Sequence, residues 1–577
     1  MHDLRRFLVD YDMAMLRALA QNRGAGLSTN VQTEAADQLA AELLEPLSVR
    51  TALARLSPEA RQALARMVAA GGRMPALQFE RSFGQPRPIG PGRLEREAPW
   101  QDPANVAEEL RYAGLVFYGF DQDQGGLGGY VFVPDDLLPH LPASDGGLPT
   151  FDLEVLAGLP EAQVQGELGR QFVHDLFVYL VHVQNRDVKP YADGRLAQRD
   201  LKLLETRLVE DGERRLDLVR HLAERLGFVE RQEGVLRLVA GPVKEWLTAS
   251  PARRLAALQA GWRGDPTWND LCRVPSLVCD SEVPWLHHYD PGAVRREILS
   301  LLARCPKGRW WSLASFVQAV KATHPDFQRP NGDYKSWYLR DAQTGDYLSG
   351  FESWDRVEGA LLTDVVRRPL RWLGVVAVAE DAGEVACRLT ESGQRLLGLV
   401  PEEPEQAPSP PIVVHPDFRV VVPAPINLYA CFQLERFADP HDPGSQDPAE
   451  GAPWIYRLAV GALGRALEHE IRVEQILAFL QQASGDRVPA NVAGQMRLWA
   501  GRFGQIRLTE AVVLTAKSER ALKELSVLPE TRALIGQLLT PTTALVRRQD
   551  LPRLRRALYE LGFLSPSETE GDAVGRG

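Results

Sequence analysis

Short helical stripes of apolar residues, each running into a strand-like alternation, succeed one another along this chain. Leu4, Leu8, Met15, Leu16 and Leu19 fall at helical spacing, and Leu39, Leu43 and Leu44 resume it after the polar GAGLSTN loop, which predicts a helical arm over residues 1–46. Ser57-Pro58-Glu59 opens a new helix, with Ser57 as N-cap and Pro58 at the first helical position. Leu64, Met67 and Val68 supply its apolar stripe. Two further helices follow near 76–83 and 105–113, and the runs LVFYGF and YVFV close a hairpin around the glycine-rich tip DQDQGGLGG.

The same order returns twice. Phe172, Leu176, Phe177 and Leu180 mark one helix, residues 196–208 a second and 216–226 a third, before a hairpin formed by 228–231 and 235–239. Later, Val294, Ile298, Leu301 and Leu302 share one helical face, as do Leu313, Phe316, Val317 and Val320. Leu361, Leu362, Val365 and Val366 make the next helix, which Pro369 is expected to stop, and 375–379 pairs with 385–389 around EDAGE. Three helices followed by a hairpin is the order of a winged helix. The pattern therefore predicts a mainly α fold with small β-hairpins (α+β), an array of winged-helix modules at 47–148, 149–275 and 276–400.

PEEPEQAPSPP, residues 401–411, breaks both helix and sheet and reads as a linker. The last domain, 412–566, opens with the two strand-like runs of IVVHPDFRVVVP. Val473, Ile476, Leu477 and Leu480 line one helix, and Val492, Met496, Trp499 and Phe503 line the next. Strands are expected at 506–508, 511–514 and 543–546, and Leu551, Leu554, Leu558 and Leu561 line a closing helix. The polar residues 567–577 read as a disordered tail.

Composition narrows the class. With 577 residues, 45% hydrophobic and 25% charged, the chain can bury several separate cores. No apolar run approaches the roughly 20 residues that span a bilayer, and acids interrupt the N-terminus where a signal peptide would keep an apolar core. Five scattered cysteines fit reduced thiols and a cytoplasmic location. The net charge of −10 opposes a general affinity for nucleic acid, but its distribution is uneven. Between Arg497 and Arg556 twelve Lys/Arg face five acids, so the C-terminal part is the better candidate for a polyanion.

Catalytic signatures are missing from the sequence. No G-x-x-x-x-G-K-[ST] loop occurs, Pro306-Lys307-Gly308 lacks the flanking glycine and hydroxyl, and there is no acidic box of the DEAD type. His469-Glu470 has no second histidine four residues on, and Cys272 and Cys279 lack the paired spacing of a zinc site, so neither a metal nor a cofactor is expected. Gly125–Tyr130 precedes a strand rather than a helix, which favours a wing tip over a phosphate loop. The stretch 324–355 interleaves Phe327, Tyr334, Trp337, Tyr338, Tyr347, Phe351 and Trp354 with Arg329, Lys335 and Arg340. Two readings stand for it: a platform on which bases stack, with Trp337 and Lys335 as contacts, or an insertion that makes a small core of its own.

The last domain carries a resemblance. Ile412–Phe418 (I-V-V-x-P-D-F), Phe437-Ala438, Tyr456-Arg457-Leu458, Val473–Leu480, Pro489-Ala490-Asn491-Val492, Trp499 with Gly504-Gln505-Ile506-Arg507-Leu508, and the strand-helix ending from Ala544 to Phe563 form a distributed pattern. This pattern resembles the N-terminal domain of XPB-type DNA helicases, which also occurs in bacteria as a helicase-associated domain. The resemblance implies a non-catalytic DNA-binding or helicase-associated accessory protein, in DNA repair or transcription, that lacks the motor. Arg547, Arg548, Arg553, Arg555 and Arg556 are then the expected DNA contacts, supported by Arg497, Arg502 and Arg507. The alternative is a protein-interaction scaffold whose winged helices dock a separate helicase or nuclease.

Overall fold

The computed structural model describes residues 2–123, 126–142, 151–156, 168–208, 212–280, 286, 289–329, 331–381, 383–401, 409–441, 452–506 and 511–563. The tip at 124–125, most of the 401–411 segment, His287, His288, Arg507 and the 567–577 tail lie outside the described residues. The chain is α+β, with helices throughout and small antiparallel sheets. It forms two compact units: Met1–Ala462 with Ala478–Pro489, and Leu463–Leu477 with the residues from Ala490 onward.

In the first unit, Ser57 caps the Pro58–Ala69 helix by accepting the Ala60 N–H at 3.1 Å, as its sequence dictates. Strand Arg73–Pro75, helices Ala76–Phe83 and Val106–Tyr112, and hairpin strands Phe117–Asp123 and Gly126–Phe132 follow. The last strand pairs with both others, Phe132 opposite Arg73 on one side and Phe117 on the other. The helical arm expected over 1–46 is helical and packs on that hairpin. Helices Leu4–Val9, Met13–Arg23 and Gln32–Leu44 bury Leu8, Leu16, Leu19 and Leu39 against Phe117, Tyr130 and Phe132 of that hairpin.

The strand order first–third–second recurs. Strand Trp310–Ser312, helix Leu313–Thr323, the helix spanning 354–372 and hairpin Val376–Asp381/Glu384–Leu389 make a sheet with Glu384–Leu389 in its middle. Hairpin Val229–Gln232/Val235–Leu238 has no first strand among the described residues, but Leu236 donates its N–H to the Val188 carbonyl at 2.9 Å, which occupies that place. Pro369 does not stop its helix. It lacks the N–H that would complete an α turn, and a π turn over Val366–Leu370 absorbs the gap, so the helix runs on to Trp372.

Residues 324–355 form a core. Tyr334 and Trp354 are buried and both donate to the Pro325 carbonyl, at 2.8 and 2.9 Å. Arg81, from the first hairpin module, donates to Asp326 at 2.6 Å and lies over the rings of Tyr334 and Phe351, so this insertion ties two modules of the first unit together.

Residues 412–462 share a core with the middle of the chain. Strands Val413–Val414, Arg419–Val422 and Trp454–Arg457, with Asp439–Pro440 at the edge, make an antiparallel sheet. Its Trp454 meets His174 edge to face and Phe177 at a tilt, both on the Leu168–Asn185 helix, at ring distances of 5.5 and 5.6 Å. Helix Leu428–Leu434 packs on the same helix, and Arg207 grips Glu435 through two hydrogen bonds of 2.6 and 3.1 Å.

The expectation of reduced thiols is corrected at one pair. Cys272 and Cys279 form a disulfide, with Cα atoms 5.4 Å apart, because the 3-10 turn Leu271–Arg273 folds back on strand Leu277–Cys279. Cys305, Cys387 and Cys431 are free and buried, and burial pushes the Cys305 thiol up to about 12 and the other two higher still. Among the described residues, no helix is long and apolar enough to cross a membrane, and no three His, Cys, Asp or Glu side chains gather as metal ligands.

Two outcomes are expected. Trp454→Ala destabilises the first unit by about 3–5 kcal/mol in chemical denaturation, as loss of a fully buried indole does. Mass spectrometry after alkylation without reductant finds Cys272 joined to Cys279 and the remaining three thiols unmodified until the chain is denatured.

Candidate nucleic-acid interface

The basic surface belongs to the second unit. Strands Ala511–Thr515, Thr543–Arg547 and Leu538–Thr540 form its sheet, again with the last strand in the middle, and helices Glu519–Val527 and Pro529–Arg532 lie between the first and second. Alternation along Thr543–Arg547 buries Ala544 and Val546 and leaves Arg547 exposed at the strand end, opposite Ala511. Helix Leu551–Glu560 follows at once. Leu554 and Ala557 are buried, with Leu551 and Leu558 half-buried beside them. At about 100° per residue, that buried stripe places Arg553 and Arg556 together on the outer face and Arg555 on its flank.

The arginines expected as DNA contacts divide by what they already hold. Arg553, Arg555 and Arg556 are exposed and have no carboxylate partner among the described residues. Arg548 is exposed in the short turn before the helix. Arg547 donates from Nε to Asp550 at 2.8 Å, an i,i+3 pair that fixes its side chain across the helix start. Arg497 is engaged more fully. Its guanidinium meets Glu474 through Nε at 2.8 Å and Nη2 at 2.9 Å, and this hydrogen bond holds the Glu474 carboxyl below the usual carboxylate range and raises Arg497. Arg502, at the end of helix Ala490–Arg502, is exposed with no ion-pair partner among the described residues. Arg507 lies outside the described residues.

Trp337 and Lys335 stand in the first unit. Trp337 is half-buried, its face covered by the Arg329 guanidinium at 4.0 Å and its edge set against Tyr289. Lys335 is exposed, held in a turn by its backbone N–H bond to Asp333. The exposed rings of that insertion are instead Tyr338 and Tyr347, which meet edge to face.

Sequence reasoning missed two features of the second unit. Leu538–Thr540 is a strand, although it has no alternation to mark it; of the strand expected at 506–508 only Ile506 is among the described residues, and it lies in a bend. Leu498, Phe503, Ile506, Val513, Leu538 and Leu539 are exposed, a concentration of large apolar groups. The one available signal was the Leu538-Leu539 pair set among Gly, Gln, Thr and Pro.

Residues 412–540 match the protein family described as helicase conserved C-terminal domain. None of the curated proteins matches the chain. Residues 412–540 thus form a helicase-associated segment. The match spans both compact units and ends before the Thr543–Arg547 strand and the arginine-bearing helix.

Because Arg497 is held by Glu474, Arg497→Ala is expected to bring the Glu474 carboxyl back up towards the ordinary range, read by NMR titration of its side chain. The same substitution weakens binding to DNA less than Arg553→Ala does in a titration of labelled duplex.

Proposed function

We propose that this chain is a non-catalytic DNA-binding accessory protein that works with a helicase in DNA repair or transcription. The repeated strand order supports reading the four hairpin-bearing units as winged helices, one more than the sequence pattern suggested. The likeness of 412–540 to a helicase domain, together with the sequence pattern resembling the XPB N-terminal domain, supports the helicase association. The absence of a phosphate loop and of an acidic motor box from the sequence supports a role without catalysis. The observation that carries DNA binding is the outer side of helix Leu551–Glu560. Among the described residues its three arginines have no carboxylate to compete for them, so phosphates can release counterions there.

A second reading rests on a separate observation. The exposed apolar groups of the second unit favour a protein-interaction scaffold that docks a separate helicase or nuclease, since charged DNA backbone offers such groups nothing.

A salt series decides between them. Binding of the full chain to duplex and single-stranded DNA is expected to fall steeply as salt rises. Reversing Arg553, Arg555 and Arg556 to Glu flattens the logarithmic slope by about 2–3, near 0.9 per lost phosphate contact on duplex. No binding at low salt sinks the DNA reading and leaves the scaffold.

A further inference from the structure

Helix Leu551–Glu560 presents an aromatic ring as well as arginines. Tyr559 is 73% exposed, and among the described residues its side chain meets no hydrogen-bond partner, no second ring and no cation of the chain. It follows Arg555 by four positions and Arg556 by three, the spacings at which helical neighbours stand about 5–6 Å apart at Cβ. At about 100° per residue, with Leu554 and Leu558 turned inward, the ring falls between those two arginines on the outer side of the helix. Glu560 is the one acid of the helix, and it makes no ion pair with Arg556 four positions before it among the described residues.

Tyr338, Tyr347 and Phe120 are also exposed, but they stand differently. Tyr338 and Tyr347 meet each other edge to face, and Arg340 of the same stretch donates to Asp280 at 2.5 Å. Phe120 lies on its hairpin strand next to Asp121, which holds Arg73 at 2.6 Å. At Tyr559 the ring is bare and the cations beside it are uncommitted. A single strand needs that combination, because bases stack on aromatic faces while cations hold the backbone.

A duplex gains less from the ring. Its bases are already stacked and paired, so their faces are closed to a surface side chain, whereas an unpaired base can be splayed onto one. We infer that the outer side of helix Leu551–Glu560 receives single-stranded nucleic acid in preference to duplex, with a base stacked on Tyr559 and the neighbouring phosphates held by Arg555 and Arg556. Arg553, on the same outer face, extends the track for the backbone. The inference rests on the DNA-binding reading of this helix and adds the form of strand that the helix takes.

The test is fluorescence anisotropy of the full chain at low salt with a labelled oligothymidylate and, separately, a labelled blunt duplex of the same length. The single strand is expected to bind more tightly. Tyr559→Ala is expected to weaken it by about fivefold or more, the scale of one lost stack, while duplex binding changes by less than about twofold. Tyr559→Phe keeps the ring and keeps the affinity. Because Tyr559 is exposed, these substitutions leave the core intact, which circular dichroism checks. Reversal of Arg553, Arg555 and Arg556 to Glu weakens both probes, since phosphates are common to both. If neither probe binds, the DNA reading fails and the inference falls with it. If both bind and the duplex is preferred, or Tyr559→Ala leaves the single strand unaltered or weakens the two probes alike, the inference alone is overturned. A loss in Tyr559→Phe equal to that in Tyr559→Ala overturns stacking in the same way.

Discussion

Helix Leu168–Asn185 sets the terms for the first unit. Every residue from Phe172 to Val183 is buried, so the helix has no face to offer water and must be covered all round. Helices Glu213–Arg225 and Pro251–Arg263, hairpin strand Val235–Leu238 and helix Leu428–Leu434 supply that cover. Two of the polar residues inside the run take partners brought from elsewhere in the chain. Asp175 receives Arg215 at 2.5 Å, and His182 meets Asp200 at 3.0 Å. An unpaired charge at either place costs several kcal/mol, so these contacts also fix which helices can pack there.

This constraint explains why the helicase-like residues are not all in one compact unit. The Leu428–Leu434 helix and Trp454 complete the cover of a helix more than two hundred residues earlier, while residues from Ala490 onward build a core of their own. The chain thus commits the first part of that segment to holding its middle together, while the second part builds the core from which the following helix Leu551–Glu560 presents its arginines. Aromatic side chains serve the same cohesive purpose in the 324–355 insertion. Trp337 and Tyr334 lie under Arg329, and Arg81 reaches across from another module, so rings that could have stacked on bases are already occupied by cations of the chain itself.

Much of the fold was legible from local pattern. Ser57 and Pro58 start their helix, the stripe Leu313, Phe316, Val317 and Val320 gives helix Leu313–Thr323, and the apolar run 375–379 and the residues 385–389 on either side of EDAGE mark Val376–Asp381 and Glu384–Leu389. Local pattern failed where a distant group supplied the deciding energy. Phe172, Leu176, Phe177 and Leu180 mark one apolar face, yet His174, Asp175 and His182 are buried as well. Pro369 reads as a stop, but packing of Leu370 and Trp372 against the rest of the module favours a π turn over an ended helix. The Leu538–Thr540 strand has no alternation because all three of its residues are exposed.

The candidate contacts divide in the same way. Sequence alone determined that the C-terminal part is basic, that Leu551–Glu560 is an amphipathic helix with its arginines outward, and that no phosphate loop of an ATPase is present, because charge, period and motif are properties of neighbouring residues. Only the tertiary structure decided which arginines remain available. Glu474, 23 residues from Arg497, takes that guanidinium, and Arg329 covers Trp337, whereas nothing described reaches Arg553, Arg555 or Arg556. Ion pairing and stacking depend on separation in space, and folding sets that separation through cores whose members lie far apart in the chain.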